Sequence, residues 1–314
     1  MPAMAKAVRF RRTSQSEFAK VFRSLTDRHS SWQVWADFVV LSAITIAAPF
    51  GVTDDERHKE REKEYQSIIK RYDPKELQVF PVLFSMTVNA LEEEPHQDFL
   101  GEMFMALELS NHWQGQFFTP YDLCRFMAEM TMKDVNHRIE EKGWIGIMDC
   151  CCGAGALLIA ARNYLHFADP PIGYLPGHLH ALFVCQDIDR VAALMCYIQL
   201  SLLGCAGYVV VGNSITHPTV GFDNNPVLPI ETEGQEIWCM PMFHDQVWVW
   251  RQTFAKLEAL TRPLGRKGIS DIAPPEKAPE IEAEKPPEAT APPPPPTPEA
   301  PDLNVTATGQ LTLF

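Results

Sequence analysis

Three short apolar runs, each ending on a polar residue, constrain the fold of this chain more than any other feature. They are "WIGIMD" (Trp144–Asp149), "ALFVCQ" (Ala181–Gln186) and "YVVVGN" (Tyr208–Asn213). Between the second and third lies "DRVAALMCYIQLSLLG", which reads as a helix that stops at Gly204. Strand–helix–strand alternation predicts a parallel sheet with crossover helices, an α/β fold. A fourth run, "EIWCMP" (Glu236–Pro241), predicts another strand, and "DQVWVWRQTFAKLEAL" predicts a closing helix.

The residues before these runs read as helical. Phe18, Val21, Phe22 and Leu25 have the spacing of one helix face. "DDERHKEREKEYQSIIKRY" predicts a charged, solvated helix, and "HQDFLGEMFMALEL" an amphipathic one. "FVVLSAITIAAPFGV" (Phe38–Val52) is shorter than the roughly 20 residues a membrane span needs and follows Asp37, so it predicts a buried helix. In "GQFFTPYDLCRFMAEM", Thr119 can cap a helix with Pro120 at its first position. Leu123, Phe126, Met127 and Met130 would form its buried stripe. The expected organisation is a helical domain over residues 1–110, an α/β domain over 111–262 and a Pro/Glu-rich tail over 263–314.

The net charge of -13 argues against a strongly basic nucleic-acid surface, but it is uneven. Asp271–Asp302 contains eight acids and two lysines, about half of the excess. Arg9, Arg11 and Arg12 form a basic arm that could touch phosphates or simply be solvated. The eight cysteines show no C-x-x-C pair, and no apolar leader is evident. Reduced thiols in a cytoplasmic protein without a membrane segment are expected. Cys150, Cys151 and Cys152 are consecutive, a spacing that does not converge on one ion, so no metal is expected.

The bend after the first strand carries the chemistry. Asp149 ends the strand, and Gly153 and Gly155 occupy the turn before a helix, where backbone can approach a ligand and unpaired N–H groups point outward. "CQDID" places Asp187 at the carboxyl edge of the next strand, where a carboxylate can accept from both hydroxyls of a ribose. Leu158 replaces the third glycine of a dinucleotide fingerprint, and Asp187 lies too far downstream for one. No G-x-x-x-x-G-K-[ST] run is present. A cofactor with one ribose and an amino-acid tail fits better.

"GQFFTP", "DCCCGAGA", "CQDID" and "GNSI", in that order and spacing, resemble the N6-adenine DNA methyltransferases of type I restriction–modification systems. The resemblance covers Asp98–Ile215 well and the first hundred residues loosely. It implies a class I methyltransferase (Rossmann-like) sheet with a helical N-terminal domain, S-adenosylmethionine as cofactor and DNA as substrate. Phe118, Thr119 and Pro120 would line the methionine side. Asp149, Cys152, Gly153 and Gly155 would form the loop, Asp187 would take the ribose, and Ile188 would pack on adenine. Asn213 stands where the family has aspartate; its amide could accept from the adenine amine and donate to a ring nitrogen.

The chain departs from the family at the target base. Methylating adenine N6 needs a pocket for a flipped-out base, which the family builds with N-P-P-[FY] after its fourth strand. That tetrapeptide is absent. "NNPV" (Asn224–Val227) and "MPMF" (Met240–Phe243) are candidate remnants; the second follows an apolar run and keeps Pro241 and Phe243 as the catalytic candidates. Further strands and a target-recognition domain are not evident, so the sheet is expected to be shortened. The open readings are an adenine methyltransferase completed by a specificity or second methyltransferase subunit, a silent cofactor-binding module, and an interaction protein. No Pro-Cys motif supports a cytosine-C5 enzyme.

The chain ends in "QLTLF". Gln310, Leu311, Leu313 and Phe314 resemble the peptide by which bacterial proteins bind the replication sliding clamp. A long Pro-rich tether would give that peptide reach.

Overall fold

The computed structural model describes residues 10–50, 56–107, 109, 118–167 and 177–261. The tail and its terminal peptide, Gln310–Phe314, lie outside the described residues, as does the expected division at residue 110. Helices α1 (Thr13–Arg23), α2 (Ser31–Ala47), α3 (Glu56–Ile69), α4 (Pro74–Leu77), α5 (Val79–Glu93) and α6 (Phe99–Ala106) come first. Next come α7 (Tyr121–Thr131), α8 (Val135–Lys142), β1 (Ile145–Asp149), α9 (Ala156–His166), β2 (Ala181–Asp187), α10 (Arg190–Leu202) and β3 (Ala206–Val211). The sheet closes with β4 (Glu236–Cys239), followed by α11 (Gln246–Thr261).

The early helices and the sheet share one hydrophobic core. Phe18 and Phe22 of α1 and Trp35 and Phe38 of α2 meet in edge-to-face contacts. The same buried cluster continues through Phe99 and Met103 to Ile159 and Met195 of the crossover helices. Helix α2 with its following turn is long and apolar enough to span a membrane by length and composition alone. Instead it buries Val34, Trp35, Phe38 and Val39 in this core. Asp37, near its middle, is buried too, but it is paired: Arg71 reaches it at 2.7 Å and the Tyr72 hydroxyl at 2.7 Å. A buried carboxylate needs such partners.

The charged α3 is only partly a solvated face. Tyr65 and Ile68 are buried. The Arg61 guanidinium lies 3.6 Å from the centroid of the Trp238 ring of β4, and Arg190 forks onto Glu64. Its charges dock α3 on the sheet edge.

The strands lie in the order β1-β2-β3-β4. The first three are parallel, with Asp149 opposite Cys185 and Asp187 opposite Val211. Asp149 and Asp187 therefore finish at one edge, the carboxyl edge. The fourth strand is antiparallel: Glu236 pairs with Val211 and Cys239 with Tyr208. Among the described residues the outer side of β1 carries no strand; Gly146 and Met148 there are exposed. A second, smaller core covers the other sheet face, where Leu182, Val184, Tyr208 and Val210 meet Phe243 and Trp248.

Helix α7 presents a different face from the expected one. Leu123, Phe126, Met127 and Met130 are exposed, and Tyr121, Cys124 and Ala128 are buried. Both stripes have helical spacing. The one with small residues faces α9 because it lets the helices approach closely, with Asn163 donating to the Tyr121 hydroxyl at 2.8 Å. The helix begins at Tyr121 with Pro120 in the cap position and no side-chain cap bond, so Thr119 does not cap it.

Candidate cofactor site

The turn after β1 is built by its own backbone. The Cys151 amide donates to the Asp149 carboxylate at 3.0 Å, and the Cys152 amide donates to the Gln186 carbonyl at 3.0 Å. The second bond ties the turn to β2. Gly153 has φ +53 and Gly155 φ +96, left-handed conformations that favour glycine. Space constrains them as well. A Cβ on Gly153 would sit 3.0 Å from the Phe118 ring, and one on Gly155 2.9 Å from the Cys196 sulfur. Of the three cysteines, Cys150 and Cys151 are exposed, whereas Cys152 is buried. The bond with Cys196, together with burial, pushes the Cys152 thiol well up. Cys152 thus offers a ligand its backbone only.

Asp187 lies beneath this turn. One oxygen accepts from the Gly153 amide at 2.8 Å and the other from the Asp189 amide at 2.9 Å. Each carboxylate oxygen has a second lone-pair direction, so a ribose hydroxyl can still be received. Next to it, Ile188 is 66% exposed, an uncovered apolar side chain at the carboxyl edge. Asn213 is committed differently from expectation. Its side-chain oxygen accepts from the Ile215 amide at 2.9 Å and the Thr216 amide at 3.2 Å. Two backbone donors fix that orientation, so the amino group alone remains outward. Asn213 can donate to a ring nitrogen but not accept from an adenine amine.

Phe118 and Thr119 close the other side. With Asp98, Cys124, Met127, Asp149 and the turn they line a cavity of about 140 Å³. That volume suits one end of a nucleoside cofactor, not the whole. Pro120 is exposed and lines the adjoining cavity of about 370 Å³, which shares Asp98, Phe118 and Thr119. Burial raises the Asp149 carboxyl above its ordinary value, and the nearby Asp187 charge adds to this.

Asp98 had no assigned role in the sequence reading. It is 3% exposed. One oxygen accepts from the Gly101 amide at 2.9 Å and from the Gln199 amide group at 2.7 Å. Gln199 also donates to the Ala154 carbonyl at 2.9 Å and accepts from the Leu100 amide at 3.0 Å. A buried glutamine on α10 thus clamps the start of α6 to the glycine turn. The readable signal was "HQDFLGEM", where Asp98 looks like an ordinary helix cap.

Pro241 and Phe243 are not brought to this site. Because β4 is antiparallel, its end points to the amino edge of the sheet, where the Met240 amide donates to the Gly207 carbonyl at 2.9 Å. Gly207 is four residues before the end of β3, about 13 Å back along the strand. Phe243 is also buried against Tyr208 and Trp248, with ring centroids 5.8 and 6.4 Å away. It has no free face for a base. In Asn224–Val227, Asn224 is exposed, but Val227, which stands where the aromatic would be, is buried in the same second core.

Residues 97–256, half of the chain, match the family model described as N-6 DNA methylase. The chain belongs to the N-6 DNA methylase family. The matched span holds every element of the turn, the cavity and the carboxyl edge. A comparison with curated proteins found no match. Among solved structures, the chain is similar to one described as a class I S-adenosylmethionine-dependent methyltransferase from Listeria monocytogenes. The identity is 12%, the coverage 77% of this chain and 69% of that one, and the TM-score 0.35. An overlap that loose does not bear on individual residues.

The cofactor is S-adenosylmethionine, and the site suits it. The molecule carries a sulfonium and an ammonium, and Asp98, Asp149 and Asp187 surround the turn with carboxylates. Bound there, it supplies an electrophilic methyl group for transfer. The residues that would hold it are those at the carboxyl edge: Asp187 could receive a ribose, Ile188 and Asn213 could face a base, and the turn with Phe118 could enclose a tail.

Proposed function

We propose that this methyltransferase acts on adenine N6 in DNA. The reading is supported most by one observation: the turn, Asp187 and the Phe118–Pro120 segment converge on one edge of the sheet within the N-6 DNA methylase span. The target base is a separate matter. Adenine N6 must lose a proton as it gains a methyl, so acceptors must face its amine. Pro241 and Phe243, the residues nominated for that task, do not lie at the carboxyl edge.

A second chain, such as a specificity or methyltransferase subunit, would therefore complete the base pocket. The open side of β1 and the exposed α7 stripe favour this, because Met127 of that stripe and Asp149 of β1 line the same cavity. The terminal peptide Gln310–Phe314 would bring the assembly to newly copied DNA through a sliding clamp, in the cytoplasm. The alternative reading, a cofactor-binding module without turnover, is favoured by the buried position of Phe243.

The test is transfer of labelled methyl from S-adenosylmethionine to unmethylated DNA, followed by nuclease digestion and chromatography. The full chain, alone or with a co-expressed partner, should yield N6-methyladenine. Cofactor binding with no labelled base under either condition would favour the silent module.

A further inference from the structure

Resting on the cofactor assignment, we infer that Asp98 receives the ammonium group of the methionine tail, as a cofactor-binding residue from the helical half of the chain. Three features carry this. First, Asp98 lines both cavities that meet at Phe118 and Thr119, one of which contains the glycine turn. Second, its bonding is lopsided. Gly101 and Gln199 both donate to Oδ1, and Oδ2 has no hydrogen-bond partner among the described residues. A carboxylate oxygen that solvent still reaches and that the chain leaves unbonded, on a residue only 3% exposed, is available to a cation entering the cavity. Third, its position is over-determined. Gln199 holds Asp98 and the Ala154 carbonyl at once, so the acid and the turn cannot shift independently.

The charge balance agrees. Among the described residues no arginine, lysine or histidine is ion-paired with Asp98. Its neighbour Glu102 is engaged by Arg12 at 3.0 Å and by Gln15 at 2.6 Å. Burial pushes the Asp98 carboxyl up to about 6, and no cationic side chain among the described residues offsets its charge. Gly101 shows how tightly this is fitted: a Cβ there would lie 2.0 Å from Asp98 Oδ2.

Titration calorimetry with two ligands tests the assignment. S-adenosylhomocysteine carries the ammonium, and 5′-methylthioadenosine lacks the amino-acid tail. Asp98→Asn keeps an acceptor for Gly101 and Gln199 but loses the charge. It should weaken S-adenosylhomocysteine about 10- to 100-fold and leave 5′-methylthioadenosine within about threefold, with an unliganded Tm no lower than wild type. Equal weakening of both ligands with a lower Tm would mark Asp98 as structural only and overturn the inference. Unchanged affinity for S-adenosylhomocysteine would overturn it too. Wild-type protein binding neither ligand would remove the cofactor assignment and this inference with it. Should Asp98→Asn not fold, the deaminated analogue of S-adenosylhomocysteine serves on wild-type protein. A loss of about tenfold or more is expected, and equal affinity overturns the assignment.

Discussion

The two edges of the sheet are made of the same strands and do opposite things. At the carboxyl edge, Asp149, Asp187 and Asn213 use only part of their bonding capacity on the chain itself, and Ile188 stands uncovered. At the amino edge the surface is closed. Trp144 packs on Trp248 at 5.8 Å, Arg251 donates to the Gly143 carbonyl at 3.0 Å, and Met240 and Phe243 are buried. One edge leaves polar groups open to a ligand, whereas the other is covered by aromatic packing. Strand direction decides which residues join which edge, and the antiparallel β4 delivers "MPMF" to the packed one.

The sharpest way to break this contrast is Phe243→Ala. Removing a ring this buried should destabilise the protein by about 3–5 kcal/mol in denaturant unfolding, while cofactor affinity of the remaining folded protein stays within about threefold. A selective loss of affinity with intact stability would put Phe243 back at the site. Next in size is Gly155→Ala. Positive φ and the 2.9 Å approach to Cys196 should together cost about 2–3 kcal/mol and abolish measurable cofactor binding.

A pH series sharpens the role of the buried acid. Burial pushes the folded Asp98 carboxyl up to about 6, above its unfolded value, so the folded form holds its proton more tightly. Its contribution is fully present below about pH 4 and is lost as pH rises through 6. Without ligand, wild type should lose about 2–3 kcal/mol relative to Asp98→Asn between pH 4 and 7. Parallel stability curves would contradict this. The smallest effect belongs to Asn213→Asp. Restoring a second acceptor beside the turn should tighten the cofactor by roughly twofold to fivefold, read by calorimetry.

Much of the carboxyl edge was legible in the chain. The apolar runs gave the strands to within about two residues, because an apolar stretch bounded by polar residues and glycine has few other readings. Gly153, Gly155 and Asp187 could be picked out because a turn and an edge acid have local signatures. What failed shares a different cause. Periodicity carries no sign for strand direction, so "EIWC" looked the same whether parallel or antiparallel. Helix α7 has two stripes of helical spacing, and the larger apolar one lost because the close contact with α9 selected Cys124 and Ala128. Asp98 and Gln199 meet across 101 residues of sequence, and no local pattern announces a contact of that range.

Hydrogen exchange on the full chain, with and without S-adenosylmethionine, tests the location of the cofactor most directly. Protection should appear in peptides spanning 98–101, 149–156 and 186–190, and peptides spanning 240–250 should stay unchanged. Protection confined to 240–250, or none around Asp149 and Asp187 at saturating cofactor, would contradict the assignment of the carboxyl edge.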